Sequence, residues 1–134
     1  MIDFHFVKTK KLSTNGYAKW VKEIVINEGK SVGDIVFIFC NDDYLQKKNI
    51  QFLNHNTLTD VITFDYCKET TINGDIFISL ERIKENSDIY KTTFLNELSR
   101  VMAHGLLHLL GYNDKTKKEI ELMRLKENYY LSIK

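Results

Sequence analysis

The sequence contains no proline, so its helices and strands must be ended by glycine, asparagine, aspartate, serine and threonine. It has two cysteines, Cys40 and Cys67, too few for a disulfide framework. Neither sign of charge is in excess. Lysine plus arginine number 19 against 18 aspartates and glutamates, a formal charge of +1. That balance excludes a polybasic nucleic-acid coat and leaves room for a local basic groove. There is no long hydrophobic run either: the longest uncharged apolar stretch, residues 102–111, is interrupted by two histidines and is too short to span a bilayer. Residues 1–6 carry neither the basic region nor the apolar core of a secretion signal. A reducing, cytoplasmic location without a membrane partner is therefore expected. A Ser/His/Asp pattern, a phosphate-binding glycine loop and a Cys-x-x-Cys pair are also missing.

What is present is an ordinary folding composition. The chain has 134 residues, 43% of them hydrophobic and 28% charged, which suits one domain over residues 1–134. Residues 2–7 alternate as a strand does, and residues 17–27 have a helical spacing that turns Trp20, Ile24 and Val25 inward. Gly29 and Gly33 flank the break that follows. Residues 35–40 form a continuous apolar run, the pattern of a strand covered on both faces. Asn41, Asp42 and Asp43 offer caps for a helix to about Leu53. Residues 61–66 and 75–80 read as two more strands, and Asn73-Gly74 reads as a hairpin turn between them. From Glu81 the chain reads as helix: a short segment, then about 92–110, then about 117–130. The expected fold class is α+β, a small mixed sheet of about four strands packed with about five helices.

The chemistry concentrates in residues 104–114. His104 and His108 lie four positions apart, which on a helix puts both rings on one face within reach of one metal ion. Glu97, Arg100 and Val101 share that face, while Leu95, Leu98, Met102, Leu106 and Leu109 lie roughly opposite and face the core. Gly111 can end the helix in the left-handed conformation, letting the chain turn back and present Asp114. Two imidazoles and one carboxylate leave metal positions open, as in a catalytic site. The bland alternatives are that the histidines are hydrogen-bonded core residues and that Asp114 is a helix cap. Thr116-Lys117-Lys118-Glu119, however, already supplies a capping box. The spacing also approaches that of the metzincin peptidases, but Gly105 stands where those carry their general-base glutamate.

Lysines cluster at Lys8, Lys10 and Lys11, at Lys47 and Lys48, and at Lys115, Lys117 and Lys118. Each cluster suits a solvated surface, and the last, beside the histidines, is the best candidate for phosphate contact. Tyr112 either packs against the helix or stacks on a base. His5 reads as structural and His55 is isolated. Cys40 and Cys67 read as small buried residues. Asp60 and Asp75 stand at expected strand starts, where turn hydrogen bonds account for them.

Residues 104–114, His-Gly-Leu-Leu-His-Leu-Leu-Gly-Tyr-Asn-Asp, resemble the signature His-Gly-x-x-His-Leu-x-Gly-Tyr-Asp-His of the YbeY family. Residues 59–64, Thr-Asp-Val-Ile-Thr-Phe, and 74–79, Gly-Asp-Ile-Phe-Ile-Ser, are similar to two further segments of that family, in the same order. Glu97 falls where the family often has glutamate. The resemblance runs over essentially the whole chain. It implies a metal-dependent endoribonuclease, most suited to Zn2+, that acts on single-stranded rRNA in small-subunit rRNA maturation and ribosome quality control. It implies ribosomal partners and a metal held by His104, His108 and Asp114 on a central helix. Two departures stand out. Asp114 replaces the family's third histidine, a substitution that also suits Fe(II) and other divalent ions. Leu53 and Leu58 occupy places where the family usually has arginine and proline; Arg100 or a lysine is the candidate replacement for that cation. The competing readings are a zinc metallopeptidase and a non-catalytic ribosome-associated RNA-binding module.

Overall fold

In the computed structural model, residues 1–53 and 59–134 are described; His55 and Leu58 lie outside the described residues. Strand β1 (Ile2–Phe6) runs parallel to β2 (Ser31–Cys40), and β2 runs parallel to β4 (Thr71–Ser79). Strand β3 (Val61–Asp65) closes the edge antiparallel to β4, giving the order β1-β2-β4-β3. Helix α1 (Tyr17–Asn27) joins β1 to β2, and α2 (Asp42–Leu53) follows β2. After β4 come α3 (Leu80–Ile89), α4 (Phe94–Leu109) and α5 (Lys117–Ser132). The described residues thus form the expected α+β arrangement, a mixed sheet with five helices.

Side chains alternate across each strand and so sort onto two faces. Ile35, Phe37, Phe39, Ile76 and Ile78 join Trp20 and Ile24 of α1 and Leu98, Met102 and Leu106 of α4 in the main core. Cys40, Leu45 and Ile62 form a smaller cluster with Tyr44 and Phe77 packed against it. Strand β2 feeds both clusters, which explains its unbroken apolar run. Two expected caps are in place: Asn41 accepts from the Tyr44 amide, and Thr116 with Glu119 forms a capping box on α5. Thr93, inside the stretch read as helix, is the N-cap of α4, its side chain accepting from the Asn96 amide.

Several expectations are corrected. Asn73-Gly74 does not make the hairpin turn. Strand β4 begins at Thr71, and the chain reverses at residues 69–70, where Glu69 has φ 53° and Lys68 pairs with Thr71. Gly74 serves close packing instead: a β-carbon there would lie 2.7 Å from the Phe64 carbonyl oxygen and 2.8 Å from the Leu109 methyls. Asn73 faces an irregularity in β2 between Val32 and Ile35, where its Oδ1 accepts from the Asp34 amide at 2.8 Å. That bulge lets β2 start at Ser31, so Gly33 lies within the strand. Asp75 accordingly sits inside β4, opposite Phe64, rather than at a strand start. Leu95 is exposed, because the first turn of α4 seats Phe94 on the core instead. Cys40 is buried as expected, but Cys67 is only half-buried.

Candidate metal centre

Helix α4 lies flat on β3 and β4 because of Gly105. A β-carbon at that position would come within 2.8 Å of Ile76 Cγ2, 3.3 Å of Val61 Cγ2 and 3.4 Å of Thr63 Cγ2. No glutamate fits there, so the position that serves metzincin peptidases as general base is here a packing contact. His104 and His108 stand on the flank of the same helix. At its end, Gly111 has φ 101°; its amide donates to the His108 carbonyl and the Tyr112 amide to the Leu107 carbonyl. This pair of bonds is a Schellman motif, and it reverses the chain so that Asp114 returns over the helix.

The result is a tight triangle. His104 Nε2 lies 3.0 Å from His108 Nε2 and 3.2 Å from Asp114 Oδ2, and His108 Nε2 lies 3.4 Å from the same oxygen. Each ring is oriented through its other nitrogen. His104 Nδ1 is 2.7 Å from Glu127 Oε2, and His108 Nδ1 is 3.0 Å from the Tyr112 carbonyl oxygen. Both partners are acceptors, so each Nδ1 carries the hydrogen and each Nε2 keeps a lone pair. Three electron-pair donors then converge on one point, an arrangement that a cation between them stabilises. Among the described residues, His104, His108 and Asp114 are the group of this kind that could hold a metal ion.

Nothing in the sequence pattern marks Glu127, on α5. It is 4% exposed and accepts from His104 and, at 3.1 Å, from Arg100 Nη1. Burial pushes its pKa up, but the bonds and charges of His104 and Arg100 outweigh burial and hold it below the usual carboxylate value. The same pair acts on His104: burial disfavours its charged form, yet Glu127, Asp114 and Asp60 together raise its pKa. The Tyr112 loop is anchored from another direction. Glu28, at the end of α1, accepts from the hydroxyls of Tyr112 and Tyr130 and from Lys126 Nζ.

Two clefts meet at the triangle. One, of about 620 Å³, runs between α3, α4 and α5; the other, of about 570 Å³, runs along β3. Asp60, His104 and Asp114 line both. Asp60 is therefore more than a turn residue. Its Oδ2 accepts from Asn86 Nδ2 at 3.2 Å, and burial raises its pKa against the pull of His104. Glu97 and Arg100 line the first cleft as their place on the α4 face implied. Arg100, the candidate replacement cation, is engaged by Glu127 and Asn128. Lys115, Lys117 and Lys118 line neither cleft. The Tyr112 ring packs under Lys126 and its hydroxyl is held by Glu28, which favours packing over base stacking. His5 is paired with Asp3, away from the site.

A helix-borne His-x-x-x-His pair, a carboxylate delivered by the helix-ending glycine, and open clefts on both sides define a metal-hydrolase type of site. The model of the family described as endoribonuclease YbeY matches residues 3–133. An endoribonuclease YbeY of Flavobacterium psychrophilum is 47% identical, with 99% of this chain and 96% of that protein covered. Another, of Flavobacterium johnsoniae, is 44% identical, with 96% and 93% covered. A solution structure of a Thermotoga maritima protein superposes with a TM-score of 0.71 at 29% identity, covering 98% of this chain and 87% of the other. The chain belongs to the endoribonuclease YbeY family.

Proposed function

We propose that this protein is a metal-dependent endoribonuclease, a single domain over residues 1–134, that cuts single-stranded rRNA in small-subunit maturation and ribosome quality control. The observation that carries the reading is the convergence of His104 Nε2, His108 Nε2 and Asp114 Oδ2 within 3.0–3.4 Å in a chain of this family. These three are the proposed metal ligands, and Zn2+ is the proposed ion. With zinc–nitrogen distances of about 2.0–2.1 Å, tetrahedral ligands stand roughly 3.3–3.4 Å apart, close to the triangle's edges. When bound, the metal supplies Lewis acidity to a phosphate oxygen or to an attacking water. The chain's own residues do the rest. Glu127 and the Tyr112 carbonyl fix both imidazoles with Nε2 inward, and Gly111 turns Asp114 into the site. A cytoplasmic location and ribosomal partners follow from the proposed substrate; no helix among the described residues is long and apolar enough to cross a membrane.

The test is cleavage of a single-stranded rRNA fragment by wild type and by His108→Ala, purified in parallel, together with metal content. Wild type is expected to cleave and to carry about one metal ion per chain, and His108→Ala is expected to lose both properties. Equal cleavage by the two proteins would overturn the assignment.

A further inference from the structure

We propose that the cleft between α3, α4 and α5 is a base-binding lobe, in which Tyr90 stacks on an unpaired base and Arg124 meets the adjoining phosphate. The proposal rests on the endoribonuclease reading and adds the means by which the site selects single strands. Tyr90 lines this cleft and is 66% exposed, a large aromatic surface left in water. Among the described residues, no ring and no cation packs on it. Its root is fixed: the Tyr90 amide donates to Asn86, the Thr92 amide to Ser87, and Lys91 between them has φ 55°. The ring is thus presented from a set turn and not from a loose loop.

Arg124 lines the same cleft from α5. Its side chain is 62% exposed, and its guanidinium reaches Glu127 only at 4.0 Å. Arg100, by contrast, is held at 3.1 Å by both Glu127 and Asn128. Arg124 is therefore the arginine of the cleft with charge to offer a phosphate.

The floor decides which way a nucleotide enters. Glu97, Glu127 and Asp60 lie along it and repel phosphate. A nucleotide is accommodated base first, with its phosphate at the rim beside Arg124 and the strand continuing to the His104–His108–Asp114 triangle. A base in a duplex has no free face for Tyr90, so the lobe favours unpaired RNA. Stacking is tolerant of sequence, because every base has a π face.

The experiment uses metal-loaded protein. Binding of an end-labelled, uridine-rich single-stranded 2′-O-methyl RNA is followed by fluorescence anisotropy across a salt series, and KM and kcat are measured on the unsubstituted strand. Tyr90→Ala should weaken binding and raise KM roughly tenfold with kcat little changed, whereas Tyr90→Phe should behave as wild type. Arg124→Ala should weaken binding and lower the slope of log affinity against log salt by about 0.7. Wild-type binding by both alanine variants, in a wild type that cleaves, would overturn the lobe and leave the proposed function standing. Equal losses in Tyr90→Phe and Tyr90→Ala would overturn stacking. A wild type that neither binds nor cuts single-stranded RNA would overturn both readings.

Discussion

Which nitrogen His104 turns toward His108 and Asp114 is decided by a residue on another helix. Glu127 takes the Nδ1 hydrogen at 2.7 Å and is itself held by Arg100. Such partners of metal-binding histidines typically change metal affinity by about 10–100-fold when altered. Glu127→Gln keeps the size and one acceptor oxygen but removes the charge. It should bind zinc about tenfold more weakly, measured by competition with a chromophoric chelator, while far-ultraviolet circular dichroism stays unchanged. An affinity equal to wild type would sink the orienting role of this carboxylate. Sequence periodicity does not reveal Glu127 because its partner lies 23 positions earlier, on a different helix. His104, His108 and Asp114 are legible because one helix and its terminating glycine bring them together, so local rules suffice.

At the scale of elements, the turn that carries Tyr112 and Asp114 is tied to α1 and α5 through Glu28. The carboxylate accepts hydroxyl hydrogens from Tyr112 and Tyr130, so those tyrosines must stay neutral for the bonds to persist. Burial first, and then the Glu28 hydrogen bond and charge, push the Tyr130 phenol from 10.0 up to about 12. A group whose pKa is raised on folding stabilises the native state below its unfolded value and loses that contribution as pH rises through the folded value. Wild type should therefore lose stability between about pH 10 and 12, and Tyr130→Phe should lose less over the same window, in urea denaturation followed at each pH. Parallel curves for the two proteins would dissociate Tyr130 from the alkaline transition. The helices themselves are legible from caps and spacing: Asn41, Thr116 with Glu119, and Gly111 all act where the sequence places them. The β3–β4 turn was not, because Asn73-Gly74 carries the signal of a tight turn while its glycine is needed for clearance beneath Leu109. Asp60 reads as a turn residue for a similar reason: only the packing of α3 and α4 beside β3 brings it to the histidines.

On the scale of the whole molecule, the proposed metal site is a link between parts that the sheet does not join directly. His104 and His108 belong to the core helix, Asp114 to the loop beyond it, and Glu127 to α5, which contributes Met123 and Tyr130 to the main core. His104 Nε2, His108 Nε2 and Asp114 Oδ2 stand 3.0–3.4 Å apart, so a cation bound by all three would tie the Asp114 loop to α4. Binding to the folded chain and not to the unfolded one converts metal affinity into stability. At a free metal concentration of one hundred times the dissociation constant the gain is about 2.7 kcal/mol. For a chain of this size, that corresponds to a melting temperature about 10 °C higher. Chelation of wild type should reverse the shift, and added zinc should restore it. His108→Ala, which lacks one proposed ligand, should melt at the same temperature with chelator and with zinc. A wild type that is also indifferent to zinc would remove the metal from this triangle, whereas a shift confined to wild type would make these three side chains the place where metal binding and folding are coupled.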